Sequence, residues 1–200
     1  MKVGIFGGTF DPVHVGHLLL AEEARVVLAL NEVLFIPTGQ PWLKAGTKVG
    51  EGRHRMAMVE LAVAANPGFR ASDMEIRRPG PTYTVDTLTV LRDELGPSVE
   101  LYVILGIDAV NDLGRWHLPE RIFELGTVVA APRPGSQSLD ARALDSVSSG
   151  ASQKIMLLDT PLVGVSGRGI RRRVCNGQSI RYMVPDSVAA YIHAQGLYRC

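Results

Sequence analysis

The fold is decided by the stretch Gly7-Gly8-Thr9-Phe10-Asp11-Pro12-Val13-His14-Val15-Gly16-His17, which we call the signature turn. The apolar run from Met1 to Phe6 precedes it and predicts a buried first strand. The stretch from Leu18 to Leu30 is rich in Leu, Ala and Glu and predicts a helix. A glycine-bearing turn between a strand and a helix is where an α/β sheet offers backbone N–H groups to a phosphate.

Two imidazoles, His14 and His17, stand at the end of the signature turn. The turn matches neither G-x-x-x-x-G-K-[ST] nor G-x-G-x-x-G, and histidines replace the usual loop lysine. This pattern indicates chemistry at an internal phosphate of a nucleotide, and Gly16 lets a phosphate approach the backbone because it has no Cβ. The alternative is a tight turn with two surface histidines, which the three accompanying glycines disfavour.

The signature turn resembles the H-x-G-H signature of the nucleotidylyltransferase superfamily, in the form G-G-[ST]-F-[DN]-P-x-H-x-G-H. Bacterial nicotinate-nucleotide adenylyltransferases share that form, as do phosphopantetheine adenylyltransferases more loosely. The resemblance extends over residues 1 to about 198 and implies a single nucleotidylyltransferase domain over 1–200, with a helical C-terminal part over about 165–200. The expected fold is α/β and Rossmann-like: a doubly wound, mostly parallel sheet with helices on both faces.

Composition limits the function. The chain has 21 Lys plus Arg against 20 Asp plus Glu, a net charge of +1. Because nonspecific nucleic-acid binding needs a basic excess, we expect no nucleic-acid partner. No apolar run reaches the roughly eighteen residues that cross a bilayer, so we expect no membrane partner. The sequence starts directly in a predicted strand, so we expect no signal peptide and a cytoplasmic protein. Cys175 and Cys200 are too few for a disulfide framework, and a homo-oligomer remains open.

Hydrophobic patterning and turn residues predict the remaining elements. The predicted strands cover 32–37, 69–76, 99–105, 127–131 and 154–158. The predicted helices cover 51–66, 85–95, 109–114, 119–125, 139–147 and 166–175, with a last one from 186 to near 196. Arg53, His54 and Arg55 lie in the first turns of one helix and are expected to face mostly solvent.

Two further segments are candidates for the triphosphate of ATP. Ser166-Gly167-Arg168-Gly169-Ile170-Arg171 begins a predicted helix, where hydroxyl, amides and arginines together form an anion site. It resembles the superfamily's triphosphate-binding Ile-Ser-Ser-Thr-x-x-Arg, but Gly167 and Arg168 replace the second Ser and the Thr. Two hydroxyl contacts are therefore absent, and Arg168 could add charge or block the pocket. Lys44 in Pro41-Trp42-Leu43-Lys44 matches the lysine of the family's Pro-Pro-His-Lys, although a loop lysine often faces only solvent.

Other residues are candidates for nucleotide contacts. Gly106-Ile107-Asp108 follows a predicted strand, so Asp108 could bind a ribose or cap a helix, and the resembled family uses this Gly-x-Asp on the nucleotide. Thr84, in Pro-x-Tyr-Thr-x-Asp-Thr-Leu, lies beside the pyridine nucleotide in that family, although Thr84 or Thr82 could instead be an N-cap. Trp116 could pack in the core or, as in the family, line the pyridine pocket.

The resemblance implies adenylyl transfer from ATP to nicotinate mononucleotide, giving nicotinate adenine dinucleotide and pyrophosphate. The implied catalytic residues are His14, His17, Lys44 and Arg171. The implied ATP-binding residues are Gly7, Gly8, Thr9, Phe10, Gly16, Gly106, Asp108, Ser166 and Arg168. The implied nicotinate-nucleotide-binding residues are Thr84, Trp116, His117 and Arg133.

Mg²⁺ is the expected cofactor, held mainly by substrate phosphates and water, with no dedicated protein ligands. Asp11 beside the two histidines is also compatible with a transition-metal site, but its neighbours favour phosphate. Three alternatives stay open: a phosphopantetheine adenylyltransferase, a nicotinamide-mononucleotide adenylyltransferase, and a nucleotide-binding regulator that has lost catalysis.

Overall fold

The computed structural model describes residues 1–40, 49–132, 134–135 and 138–200. Its centre is a six-stranded sheet in the order β3-β2-β1-β4-β5-β6, and every strand pair is parallel. The strands are β1 Lys2–Gly8, β2 Glu32–Pro37, β3 Phe69–Ala71, β4 Glu100–Gly106, β5 Thr127–Ala131 and β6 Ile155–Leu157. This order is that of the doubly wound nucleotide-binding sheet, so the predicted fold class is confirmed.

Helices connect the strands and complete the chain. They are α1 Val15–Val27, α2 Gly52–Val63, α3 Met74–Arg77, α4 Thr84–Leu95, α5 Ile107–Asn111, α6 Pro119–Leu125, α7 Ala141–Val147, α8 Gly167–Cys175 and α9 Asp186–Ala194. Short 3₁₀ turns cover Leu113–Arg115 and Ala151–Lys154. No helix in the described ranges is long and apolar enough to cross a membrane.

The predicted strand over 69–76 is wrong in its second half. The ladder ends where the Ser72 N–H donates to the Phe35 carbonyl, and the Arg77 N–H then closes a helical turn on the Asp73 carbonyl. The alternating pattern of Asp73 and Glu75 therefore belongs to a loop and a short helix.

Each strand places alternate side chains on opposite faces of the sheet, which builds two apolar cores. In β4, Leu101, Val103 and Leu105 join one core, whereas Tyr102 and Ile104 join the other. The first core also takes α4 and α6, and the second takes α1, α2 and α9. Burial on both faces explains the nearly continuous apolar runs of these strands.

The strand order reverses between β1 and β4, which lie side by side although four helices and two strands separate them in sequence. At such a switch point the connections leave toward opposite faces and open a crevice at the carboxyl ends of the strands. The signature turn leaves β1 at this edge, so the topology alone places it where α/β proteins bind ligands.

The C-terminal part returns to this edge. α8 and α9 lie within the region predicted as helical, and the Met183 carbonyl accepts a hydrogen bond from the Val15 N–H at the start of α1. Cys175 and Cys200 form a disulfide bond that joins the end of α8 to the residues after α9. Two cysteines are too few for a network of disulfide bonds, but their number alone does not indicate whether they bond to each other.

Candidate active site

The two histidines of the signature turn form a stacked pair. His14 is the buried N-cap residue of α1, and its ring centroid lies 3.7 Å from that of His17. The backbone N–H of His14 donates to Nδ1 of His17 over 3.2 Å. Because Nδ1 accepts, the neutral tautomer of His17 carries its proton on Nε2, which makes Nε2 a donor.

Aromatic packing fixes the direction of the His17 ring. The rings of Phe10 and Phe6 meet it edge to face, with centroids 5.0 and 6.0 Å away. Gly16 has a further function beyond phosphate approach, since a Cβ there would lie 3.2 Å from Nδ1 of His14. The glycine thus leaves room for the neighbouring imidazole as well.

The backbone of the signature turn has unusual geometry at its centre. Phe10 has φ of 47°, in the left-handed region that bulky residues rarely adopt, and the Asp11–Pro12 peptide is cis. A left-handed φ at a bulky residue such as Phe10 persists only where the surroundings hold it. Side chains from three other segments of the chain hold the backbone of the signature turn in place at Phe10 and Asp11.

Arg55 of α2 is one of these groups, and it is almost fully buried. Its guanidinium donates to the carbonyls of Thr9, Gly50 and Gly39, at 2.9, 2.8 and 3.4 Å. Burial lowers the pKa of Arg55, and the charge of Asp11 opposes that effect. The expectation that Arg55 faces mostly solvent is wrong: it joins the signature turn to the segment after β2.

Arg55 could have been found from the sequence. It shares one helical face with the buried residues Met58, Val59 and Val63, at spacings of three, four and eight. A charged residue in an apolar stripe indicates a buried, bonded side chain. Of its neighbours, His54 bonds the Tyr191 hydroxyl at Nδ1 rather than facing solvent alone.

A cleft of about 1080 Å³ opens above the signature turn. It is lined by most of the predicted site residues within the described ranges: Gly7, Gly8, Thr9, Phe10, His14, Gly16, His17, Thr84, Gly106, Trp116, Ser166, Arg168 and Arg171. The structure therefore brings together segments from both ends of the chain. Lys44 and Arg133 lie outside the described residues.

Two predicted residues, Asp108 and His117, are absent from the cleft lining. Asp108 is exposed in the first turn of α5, whose N-cap is Gly106, so Asp108 does not cap that helix. His117 is exposed, and its ring lies 4.5 Å from that of Tyr83. Their ligand contacts stay predictions.

The N-terminus of α8 forms one wall of the cleft. The Ser166 hydroxyl accepts from the Gly169 N–H at 3.2 Å, so the predicted cap is confirmed. Arg171 donates to the Asp11 carbonyl at 2.5 Å, and Arg168 is exposed on the cleft. A Cβ on Gly167 would stand 2.7 Å from the Asp11 carbonyl oxygen, so this close approach requires glycine.

Thr84, Trp116 and residues that sequence reasoning missed form a further part of the cleft lining. Neither Thr82 nor Thr84 is an N-cap, because α4 begins at Thr84 with Tyr83 in the capping position. Nε1 of Trp116 is buried and has no hydrogen-bond partner within the described part of the chain. Since buried donors are normally bonded, this N–H suits an acceptor on a ligand.

Glu75 is a buried carboxylate that also lines the cleft. It accepts a hydrogen bond of 2.7 Å from the Thr87 hydroxyl. The guanidinium of Arg78 donates to the oxygen of the same hydroxyl at 3.2 Å. Burial raises the pKa of Glu75, and the bonds from Thr87 and Thr82 act against that rise. Its partners come from separate segments, so no local sequence pattern indicated it.

Within the described ranges, no group of three or more His, Cys, Asp and Glu side chains is arranged to hold a metal ion. Two carboxylates, Asp11 and Glu75, line the cleft, and both already accept hydrogen bonds from protein groups. This donor set offers no protein cage for a divalent cation.

A family model described as cytidylyltransferase-like matches residues 5–173. A Dehalococcoides mccartyi protein named "Probable nicotinate-nucleotide adenylyltransferase" is 48% identical over 198 residues, which is 99% of this chain and 97% of that protein. A Roseiflexus protein of the same name is 47% identical over 98% of each chain. The chain belongs to the nicotinate-nucleotide adenylyltransferase family.

Solved structures agree with this assignment in fold. The Plasmodium falciparum nicotinic acid mononucleotide adenylyltransferase complexed with NaAD superposes with a TM-score of 0.80, at 20% identity. The superposition covers 98% of this chain and 97% of that one. At this identity the likeness shows the shared fold, which is that expected for the family.

Proposed function

We propose that this family member transfers the adenylyl group of ATP to nicotinate mononucleotide, releasing pyrophosphate and forming nicotinate adenine dinucleotide. The observation that carries the proposal is the stacked His14–His17 pair at the switch point, which lines the same cleft as the N-terminus of α8. Two relatives, 48% and 47% identical to this chain in sequence, are named as probable enzymes of this activity.

The reaction is an in-line displacement at the α-phosphorus of ATP. An oxygen of the acceptor's 5′-phosphate forms the new bond, while the bond from the α-phosphorus to the bridging oxygen breaks and pyrophosphate leaves. A phosphate monoester is already ionised at neutral pH, so the reaction needs no protein nucleophile and no general base. Positioning and charge stabilisation are therefore the main contributions of the protein.

His17 supplies the first of these contributions. The hydrogen bond from the His14 N–H fixes its tautomer, so Nε2–H is the atom that donates to a phosphate oxygen as charge develops. His14 lies against it as the second donor of the pair. The amides at the start of α1 add a positive dipole on the same side.

The β- and γ-phosphates are assigned to Ser166, Arg168 and Arg171 of the α8 segment and to Lys44, which lies between β2 and α2 in sequence. Guanidinium groups bind phosphate oxygens in a planar, bidentate geometry. The glycine backbone of the signature turn and Gly106 border the remainder of the nucleotide, with Asp108 proposed for its ribose.

The pyridine end of the cleft is assigned to Thr84 and Trp116, with His117 and Arg133 as additional contacts. The unpartnered Nε1–H of Trp116 favours a substrate that carries a hydrogen-bond-accepting oxygen next to an aromatic ring. Nicotinate offers both in its carboxylate and its pyridine ring, and Arg133 would add a charge that an amide substituent does not need.

Mg²⁺ enters as part of the ATP substrate in this proposal. The carboxylates of the cleft are engaged by protein donors, so the ion is held by phosphate oxygens and water. We further propose that residues 1–200 act as one domain in the cytoplasm. ATP and nicotinate mononucleotide are its partners.

A pyrophosphate-release assay tests the proposal, with ATP, Mg²⁺ and three separate acceptors: nicotinate mononucleotide, nicotinamide mononucleotide and phosphopantetheine. We expect release with the first acceptor and much less with the others. Release with the nicotinamide nucleotide but not its acid would overturn the acceptor. ATP binding without release for any acceptor would favour the regulator alternative.

A further inference from the structure

Tyr198, near the C-terminus, reaches the signature turn. Its hydroxyl donates a 2.7 Å hydrogen bond to Oδ1 of Asp11, across 187 positions of sequence. Tyr198 itself is absent from the cleft lining, whereas Asp11 lines it. Any effect of Tyr198 on a ligand in the cleft must therefore pass through Asp11.

Asp11 joins the tyrosine to the functional segments. Its Oδ2 accepts from the Gly50 N–H at 3.1 Å and lies 3.6 Å from Nη1 of Arg171. The same arginine donates to the Asp11 backbone carbonyl. One nearly buried carboxylate thus connects the C-terminal segment, the end of the loop after β2 and α8.

The backbone dihedral angles indicate that the segments on both sides of the Tyr198–Asp11 contact are fixed in place. Tyr198 has φ of 63°, and Phe10, next to Asp11, has φ of 47°. Both are non-glycine residues in the left-handed region, which large side chains rarely adopt. Strain of this kind persists where several interactions fix the segment, and it concentrates near functional sites.

A covalent bond adds to this fixation. The Cys175–Cys200 disulfide anchors the residue two positions after Tyr198 to the end of α8. α8 begins at the cleft with Gly167, Arg168 and Arg171. The tyrosine is therefore attached to the same helix whose other end borders the proposed triphosphate site.

We propose that Tyr198 is a positioning residue, which holds the Asp11 carboxylate so that Arg171 presents its guanidinium to the triphosphate of ATP. The phenol occupies one carboxylate oxygen and leaves Arg171 only a 3.6 Å contact with the other. Without the phenol, the buried carboxylate lacks a donor, and its nearest replacement is Arg171 itself. A tighter ion pair would then turn the arginine away from the phosphates. This inference rests on the proposed function of the cleft.

The test compares Tyr198→Phe with Tyr182→Phe, a matched control because Tyr182 is 84% exposed in the same C-terminal region. ATP affinity is measured by calorimetry without acceptor, and steady-state KM values are measured for both substrates. We expect Tyr198→Phe to weaken ATP binding and raise the KM for ATP about tenfold, the size typical of one bond to a charged group. The KM for the acceptor should stay at its wild-type value in Tyr198→Phe. In Tyr182→Phe the ATP affinity and both KM values should match those of the wild type.

A double-variant cycle with Asp11→Asn separates positioning from general loosening. If Tyr198 acts through Asp11, the two losses overlap, and the double variant is no weaker for ATP than Asp11→Asn alone. Independent, additive losses would overturn the proposal, as would wild-type ATP affinity in Tyr198→Phe. Thermal unfolding of each variant verifies that the folded state is compared.

Failure here is distinguishable from failure of the proposed function. ATP binding needs no acceptor, so the effect of Tyr198→Phe can be measured even if no acceptor supports pyrophosphate release. Conversely, full adenylyl transfer with unchanged ATP affinity in the variant would leave the function intact and refute only the role of Tyr198.

Discussion

Gly167→Ala is the substitution whose outcome the structure fixes most sharply. The added Cβ would stand 2.7 Å from the carbonyl oxygen and 3.3 Å from the carbonyl carbon of Asp11. The obstructing atoms belong to the backbone, so no side-chain rotation relieves the clash. Either the N-terminus of α8 or the signature turn must shift by several tenths of an ångström.

Two effects of opposite sign decide the magnitude. Alanine favours a helix over glycine by at most about 1 kcal/mol. Overpacking costs about 1–3 kcal/mol, so subtracting the full helix gain leaves a net loss of about 0–2 kcal/mol. For a chain of this size each kcal/mol corresponds to about 2–4 °C in Tm, so we expect a fall of up to about 8 °C. The KM for ATP should rise too, because both shifting segments line the cleft.

Calorimetric unfolding and the pyrophosphate assay measure both quantities. Gly164→Ala is the control for stability, since a Cβ there meets nothing within 4 Å. An unchanged Tm and KM for Gly167→Ala, or an equal loss in Gly164→Ala, would refute the reasoning. The same clash predicts that Gly167→Ser does not recover the hydroxyl contact that the family motif has at this position.

Three further outcomes are expected. His17→Ala should lower kcat about 10²-fold with little change in the acceptor KM, because it removes a donor to the developing charge; turnover within a few-fold of wild type would exclude that role. Arg168→Thr should raise the KM for ATP, because it removes a guanidinium assigned to the triphosphate; a lower KM would show that Arg168 obstructs that site instead. Glu75→Gln should flatten the pH dependence of Tm. Because burial raises the pKa of Glu75 above its unfolded value, the folded state binds the proton more tightly, and stability falls as pH rises from about the unfolded pKa through the raised one. The same decline in the variant would show that another group causes it.

Sequence patterning located some elements to the residue. β2, α6 and β5 have the predicted bounds of Glu32–Pro37, Pro119–Leu125 and Thr127–Ala131. These segments are bounded by proline or glycine, or are apolar runs buried on both faces, so local physics determines them. The segment 72–77 lacks such boundaries, and its alternating pattern predicts the end of a strand where the structure has a short helix.

The candidate site follows a similar division. The signature turn, Ser166 and Arg171 could be recognised because each belongs to a contiguous motif whose chemistry is local. Arg55 is indicated only by its helical spacing from the buried apolar residues of α2. Glu75 and Tyr198 have no such sequence signal. The Thr87 partner of Glu75 lies twelve residues away in a different helix, whereas the partner of Tyr198 lies 187 positions away.

The contact between Tyr198 and Asp11 also has a consequence for synthesis. A ribosome adds about 5–20 residues per second, so the 187 positions between these partners take roughly 10–40 s to make. During that interval β1 and its neighbouring strands can pair, and the signature turn can form, before its phenolic partner exists. A nascent or prematurely terminated chain would therefore carry the histidines while Asp11 still lacked one of its donors.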